Sequence, residues 1–378
     1  MTLLTLPSNR EEGWRWSDLS ALPELVARAP EGRAPDRLPW LDCALEGPRL
    51  LFVDGRLDAG RSNLGPVAIG QIEGERDGHA LARLVGREGW SLRLGRDHAA
   101  AGIVQIAHVA TGAADHLPGL IELDRDAQAS IVETFIGDGW INRLTDTRLA
   151  KGARLMIARR ILLDSGFASL TDRAELGEGA SLALTTLAAG GCDTRLDGAI
   201  DLEGDGAFAE AGGALLGRGR QRHDINLVVR HSAPGGTSRQ VWRSVADERA
   251  TCSVAARVEV ARDAQKTDGE QSLRGLLLAR TATINAKPEL EIFADDVKCA
   301  HGATVGELDR NALFYLASRG VTPDEAKALL TRAFVDDALA RIGEQAAREA
   351  FETDAGKWLD NSSPTWGEGG TRRESAGG

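Results

Sequence analysis

The sequence predicts a mainly β chain with helical ends, its core a parallel β-helix. Three observations carry this expectation. Between about residues 96 and 305, short apolar stretches alternate with Gly, Asp and Asn, and several run with period two. Ile225, Leu227 and Val229 alternate with Asn226, Val228 and Arg230, Val258 and Val260 alternate with Arg257 and Glu259, and Leu290 and Ile292 flank Glu291. Successive side chains of a strand point to opposite faces, so this pattern reads as strands. Second, Leu149, Gly152, Ala153 and Leu155 recur 27 residues on as Leu176, Gly179, Ala180 and Leu182, with a looser third copy at Gly206–Ala209. Units of this length bury their apolar faces against their neighbours in a solenoid or propeller. Short strands and glycine-rich turns favour the β-helix, against the competing reading of chance glycine–alanine pairs. Third, capped amphipathic helices return after residue 305.

The elements follow in chain order. Residues 1–95 read as a mixed, mainly helical lead-in. Ser17 or Asp18 caps a short helix through Leu19, Leu22, Leu25 and Val26, which Pro23 disturbs. Gly47–Leu57 reads as a β-hairpin around Asp54-Gly55, the dipeptide favoured in a tight primed turn. A short helix is expected over Gly78–Val85. Residues 96–305 form the β-helix. In residues 306–360, Asp309 caps a helix through Leu313 and Leu316 that ends at Gly320. Thr322, Pro323 and Glu325 make a capping box with proline at the first helical position. The helix that follows carries one stripe of Ala326, Leu329, Leu330, Ala333, Leu339 and Ile342. Residues 361–378 are polar and glycine-rich, and are expected to be disordered.

Composition excludes several function classes. With 45 basic against 56 acidic residues, the net charge of −11 argues against a general nucleic-acid binder, which needs a cationic face. Aromatics are only 4%, so the core must rest on Leu, Val, Ile and Ala. The cysteines at 43, 192, 252 and 299 form no C-x-x-C pair, which argues against a zinc ribbon and fits a reducing compartment. No basic, export-type leader and no apolar run of 18 residues occur, so a cytoplasmic protein is expected.

Motifs narrow the choice further. No phosphate-binding glycine loop, no H-E-x-x-H and no G-x-S-x-G is found. The densest constellation is Ala294–Gly306. If it is a strand up to His301, then Asp295, Val297, Cys299 and His301 share one face, and a thiolate and an imidazole so placed can both reach iron. Two ligands are too few for a stable site, so others must come from another segment or chain. The alternative reading makes Cys299 a small buried hydrophobe and His301 a structural hydrogen-bonder. His223 and His231 bracket a strand as satisfied polar residues. Cys192 falls in a turn, and Cys252 in a strand. Asp336 and Asp337 read as a solvated helix face. Trp14, Trp16 and Trp40 are expected to pin the lead-in onto the body.

The segment Ala264–Phe334 closely resembles the SufB/SufD family of the SUF iron–sulfur cluster assembly machinery, in its D-type members. The resemblance is carried by Ala264–Asp268, Leu276–Leu278, Lys287–Ile292, Ala294–Gly306, Phe314–Leu316 and Ser318–Gly320, with Leu6–Trp16 similar to the family's entry motif. Cys299-Ala300-His301 fits the D-type pattern, whereas the B-type subunit carries a His-Glu-Ala type motif there. Glu270 stands where the family often has an aromatic residue, and Ala300 where it often has serine.

The resemblance implies a right-handed parallel β-helix between a helical N-terminal part and a C-terminal helical domain. It implies a non-catalytic scaffold that pairs with SufB through the β-helices and docks the ATPase SufC on its C-terminal helices. A nascent Fe–S cluster would form at the SufB–SufD interface, with His301 as candidate ligand and Cys299 as a weaker one. Reduced flavin (FADH2) is associated with the family's complex, although this chain has no flavin-binding motif. A homodimer is plausible in the absence of SufB. Two rival readings are a β-helix enzyme acting on acidic polysaccharide, which lacks its expected repeating carboxylate cluster here, and a stand-alone interaction module.

Overall fold

A computed structural model of the chain describes residues 6–41, 47–73 and 79–360. Cys43, the start of the helix expected from Gly78, and the tail 361–378 lie outside the described residues.

The core is a solenoid of about seven turns, almost entirely parallel β. Its first strands are β1 (Arg49–Val53), β2 (Arg56–Leu57), β3 (Val67–Gln71) and β4 (Glu88–Leu94). Two long strands follow, β5 (Val104–Leu123) and β6 (Gln128–Leu149). Then come β7 (Arg154–Ile161), β8 (Ser165–Leu176), β9 (Ser181–Ala188), β10 (Asp193–Leu202), β11 (Phe208–Gly217) and β12 (Arg222–His231). The last coils are β13 (Thr237–Ala246), β14 (Thr251–Val260), β15 (Asp268–Leu277), β16 (Thr283–Ile292) and β17 (Lys298–Gly306).

Alternate strands pair in parallel and build two facing sheets. One, sheet A, runs through the first half of β6 and then β7, β9, β11, β13, β15 and β17. The other, sheet B, runs through the second half of β6 and then β8, β10, β12, β14 and β16. The halves of β5 and β6 thus belong to different sheets, and the chain turns the corner at an irregularity between Thr111 and Ala114. Glycines permit the tight corner. Gly166 has φ +94°, and a Cβ there would lie 2.0 Å from the Gly139 carbonyl oxygen.

The 27-residue repeat is the coil itself. Leu155 is the in-register partner of Leu182, and Leu182 of Ala209. Leu149 likewise pairs with Leu176. These residues are buried in one continuous lumen core of Leu, Ile, Val and Ala.

Residues 49–94 depart from the mainly helical expectation, since β1 to β4 lie there. β1 and β4 pair in parallel with β5, and β3 folds back antiparallel on β4. The hairpin is as expected: β1 and β2 are antiparallel about Asp54 and Gly55, both at positive φ. Helix α1 (Leu22–Ala27) is capped by Ala21 without a side-chain bond, not by Ser17 or Asp18. Pro23 sits in its first turn, where the missing N–H has no helical acceptor to lose. Helix α2 (Ala80–Arg83) is one turn.

The C-terminal helices are α3 (Arg310–Ser318), α4 (Pro323–Leu339) and α5 (Gln345–Asp360). Asp309 caps α3, Gly320 ends it at φ +84°, and the Thr322–Glu325 capping box opens α4. Helices α4 and α5 cover the outer face of sheet A. Val335, Leu339, Phe351 and Trp358 share a buried cluster with Ala158, Leu187, Leu216 and Val245. Arg160 anchors α5 by donating to Asp354 at 2.7 Å. Asp337, expected on a solvated face, instead accepts from Arg243 at 2.7 Å. No helix of the described residues is long and apolar enough to cross a membrane.

Candidate functional site

The C-terminal end of the solenoid is open. Among the described residues, β17 pairs only with β15 and β16 only with β14, so both sheets end there on a strand with one unpaired side. An exposed strand edge is a template for another chain. Pro288, in register with Ala256, removes one donor from β16. Large apolar side chains are exposed at this end, with Ile292, Phe293 and Val305 all more than a third accessible.

β17 begins at Lys298; Asp295 lies in a bend before it and Val297 between bend and strand. The expected four-residue face therefore shrinks to Cys299 and His301, which pair with Gly269 and Gln271 of β15. Buried Gly269 and Gln271 face the lumen, so Cys299 and His301 stand over its mouth.

The two side chains differ in exposure. Cys299 is half-buried beside Val258, Val260 and Leu290. A Cβ on Gly269 would come within 3.4 Å of its sulfur. Burial raises the Cys299 thiol above its ordinary value, with Asp268 adding to the effect and a backbone bond at Gly269 opposing it. His301 is exposed, with no rung beyond it. Among the described residues, no three His, Cys, Asp or Glu side chains stand close enough to hold a metal ion. An imidazole and a thiol at this mouth are thus a partial ligand set, to be completed from outside.

Behind His301 lies a feature that the sequence reading missed. The inward column of sheet A runs Ile157, Leu184, Ala211, Gln240, Gln271, His301. It is apolar in the early coils and polar in the last three. Gln240 and Gln271 are buried and donate their amide N–H to the carbonyls of Arg257 and Ala256, at 3.0 and 2.8 Å. The adjacent column ends Ser238, Gly269, Cys299, and Ser238 bonds Nε2 of His231 at 2.8 Å.

The remaining candidates have structural places. His223 Nε2 bonds the Leu216 carbonyl at 3.2 Å, and burial holds both His223 and His231 down to about 4. Burial pushes the Cys192 and Cys252 thiols up to about 12, which leaves them protonated and inert. Trp14 is buried against the Arg195 guanidinium, 4.4 Å from its ring, and does pin the lead-in to sheet B. Trp16 lines a shallow groove with Ile284, Ala303 and Val305 at the open end.

The first coils hold a buried ionic chain that the sequence did not reveal. Arg143 bridges Asp115 and His108, and Arg159 bridges Glu133 and Asp172. His108 is stacked between Phe52 and Phe135 and is held at about 4 by burial and by Arg143. Burial raises the Glu133 carboxyl, but Arg159 and His108 outweigh it and hold the group at about 2.

Beside the open end, α3 buries none of its residues and exposes Phe314 and Tyr315. Arg319 lies over the Tyr315 ring at 5.0 Å.

A long parallel β-helix with helices on its flank is a solenoid, and its candidate ligands stand at a strand edge rather than in a cleft. The chain belongs to the family of the SUF system FeS cluster assembly SufBD core domain, whose model matches residues 106–334. It is 26% identical to the iron–sulfur cluster assembly protein SufD of Escherichia coli K12, over 91% of this chain and 87% of that protein. Shorter matches reach 40% identity to a SufBD family protein of Synechocystis and 30% to SufD of Bacillus subtilis. These two cover 33% and 38% of this chain, and 27% and 33% of the relatives.

Proposed function

We propose that this iron–sulfur cluster assembly protein acts as a non-catalytic scaffold whose open solenoid end pairs with SufB. The nascent cluster is cargo at that seam. His301 supplies an imidazole, SufB supplies thiolates and carboxylate, and Cys299 is the weaker second donor from this side. The observation that carries the reading is the exposed His301 on a terminal strand with an unpaired edge, in a chain of this family. The partial ligand set supports it as well, since a cluster held at a seam needs only one or two donors from each side.

The ATPase SufC docks on the C-terminal helices in this reading. The exposed pair Phe314 and Tyr315 on an otherwise unburied α3 supports that assignment, because aromatic side chains are enriched at interface centres. ATP-driven closure of two SufC copies then shifts the SufB–SufD seam and opens it to iron and sulfide. Sulfur arrives from a cysteine desulfurase through SufB. Reduced flavin is a guest of the assembled complex rather than of this chain, and the complex works in the cytoplasm.

Co-expression of the tagged chain with SufB and SufC tests the reading. A stable ternary complex is expected, and Phe314→Ala with Tyr315→Ala should release SufC while retaining SufB. Recovery of the tagged chain without SufB would overturn the pairing.

A further inference from the structure

We propose that Gln271 is a positioning residue for His301: its side-chain carbonyl accepts an N–H from the imidazole, fixing one tautomer and presenting the other ring nitrogen, unprotonated, at the solenoid mouth. The inference deepens the ligand role proposed above and rests on it for its purpose, but not for its geometry.

Gln271 is buried to 1% exposure, and its Nε2 donates to the Ala256 carbonyl at 2.8 Å. A carbonyl can only accept, so this bond fixes which end of the amide is which. The Oε1 atom is thereby turned away, buried and without a hydrogen-bond partner. A buried acceptor left unmade costs about 1–3 kcal/mol. Something with a free N–H or O–H is needed within reach.

His301 is the in-register neighbour of Gln271 on the outer side. Adjacent strands lie about 4.8 Å apart, and their paired side chains project together. On the inner side stands Gln240, whose own Oε1 is also unpartnered and whose Nε2 is committed to Arg257. Gln240 makes no hydrogen bond to the Gln271 carbonyl oxygen, and on the outer side the imidazole is the donor-bearing group next to it along the column. The exposed His301 ring has solvent on its far side and is free to turn inward over the last rung.

The chemistry follows from the imidazole. A neutral ring has one N–H and one lone-pair nitrogen, and a hydrogen bond to either selects the tautomer. Metal-binding histidines commonly donate their second nitrogen to a carbonyl or carboxylate, which orients the ring and makes the ligating nitrogen more basic. Gln271 supplies that carbonyl from a rigid strand, with its rotamer locked by the bond to Ala256.

The test is nitrogen NMR of the full chain carrying 15N-labelled histidine, at a pH where the rings are neutral. In the wild type, His301 should show a single tautomer, assigned by comparison with His301→Asn. In Gln271→Met it should revert to the tautomer mixture of the urea-unfolded chain. Gln240→Met, one rung deeper with the same kind of backbone bond, should leave His301 as in the wild type. Unchanged His223 and His231 signals report that the lumen is intact. If Gln271→Met does not fold, Gln271→Asn, which withdraws the amide by one methylene, carries the same expectation. A mixture in the wild type, or one retained tautomer in the Gln271 variant, overturns the proposal. Neither outcome touches the ligand reading, which stands or falls on cluster formation with His301→Ala.

Discussion

Individual residues in this fold carry either the coil or the mouth. Leu182 sits between Leu155 and Ala209 in a buried column, and Leu182→Ala should cost about 2–5 kcal/mol, read as a lower urea midpoint. A Cβ at Gly166 meets the Gly139 carbonyl at a positive φ, so Gly166→Ala should destabilise by more than about 2 kcal/mol, against a small effect at exposed, open Gly302. The buried histidines predict acid sensitivity. His223 and His231 titrate near 4 when folded, against 6.5 for the free ring. Between those values the unfolded chain binds more protons, so stability rises with pH across this window and is lost on acidification. Glu133, held at about 2 against an ordinary 4.5, acts in the same direction at lower pH. Asp193, raised by burial to about 6, opposes them, because the folded state then holds the extra proton. Melting temperature from pH 7 to pH 4 should fall, and His223→Gln should flatten the part of the fall between 6.5 and 4.

At the scale of elements, what the sequence disclosed depended on whether the signal was local. The Asp54-Gly55 turn and the Asp309 and Thr322 caps were legible because each is written in three or four adjacent residues. The repeat was legible only where coils keep one length. Leu149 to Leu176 and Leu155 to Leu182 are both 27 apart, but Ala211 to Gln240 is longer, and Gln240 to Gln271 longer again. Once the turns lengthen, self-similarity is lost, and with it the Gln240–Gln271–His301 column. Beyond the hairpin, β3 and β4 were concealed because no tight turn joins them and β4 pairs with β5, outside that stretch of sequence. Asp295 and Val297 were misassigned because period-two reasoning cannot tell a strand from the bend that precedes it. The lead-in is held by a buried cluster of Trp14, Leu19, Leu22 and Leu25 against Trp140 and Phe167. Trp14 packs on Arg195, which also pairs with Asp197 and Asp224, and Ser17 donates to Asp224. Trp14→Ala should loosen the part of this segment before Leu19, and limited trypsin digestion should then cut at Arg10 or Arg15 faster, with the solenoid intact.

For the whole molecule, the two ends are built differently. The lumen of the first coils holds an ionic chain from Asp115 through Arg143, His108, Glu133 and Arg159 to Asp172. Such a chain is costly to break on one side, since it leaves an uncompensated buried charge. The C-terminal end leaves both sheets unpaired and exposes Ile292, Phe293 and Val305. The buried ionic groups thus lie in the first coils, and the proposed ligands Cys299 and His301 stand on the last strand, where the proposed partner would complete them. The measurement that bears most directly on this account is the iron and acid-labile sulfide content of the co-expressed complex carrying His301→Ala. The expected result is a complex of wild-type composition whose cluster content falls roughly tenfold or more; wild-type iron and sulfide in that complex would contradict the account.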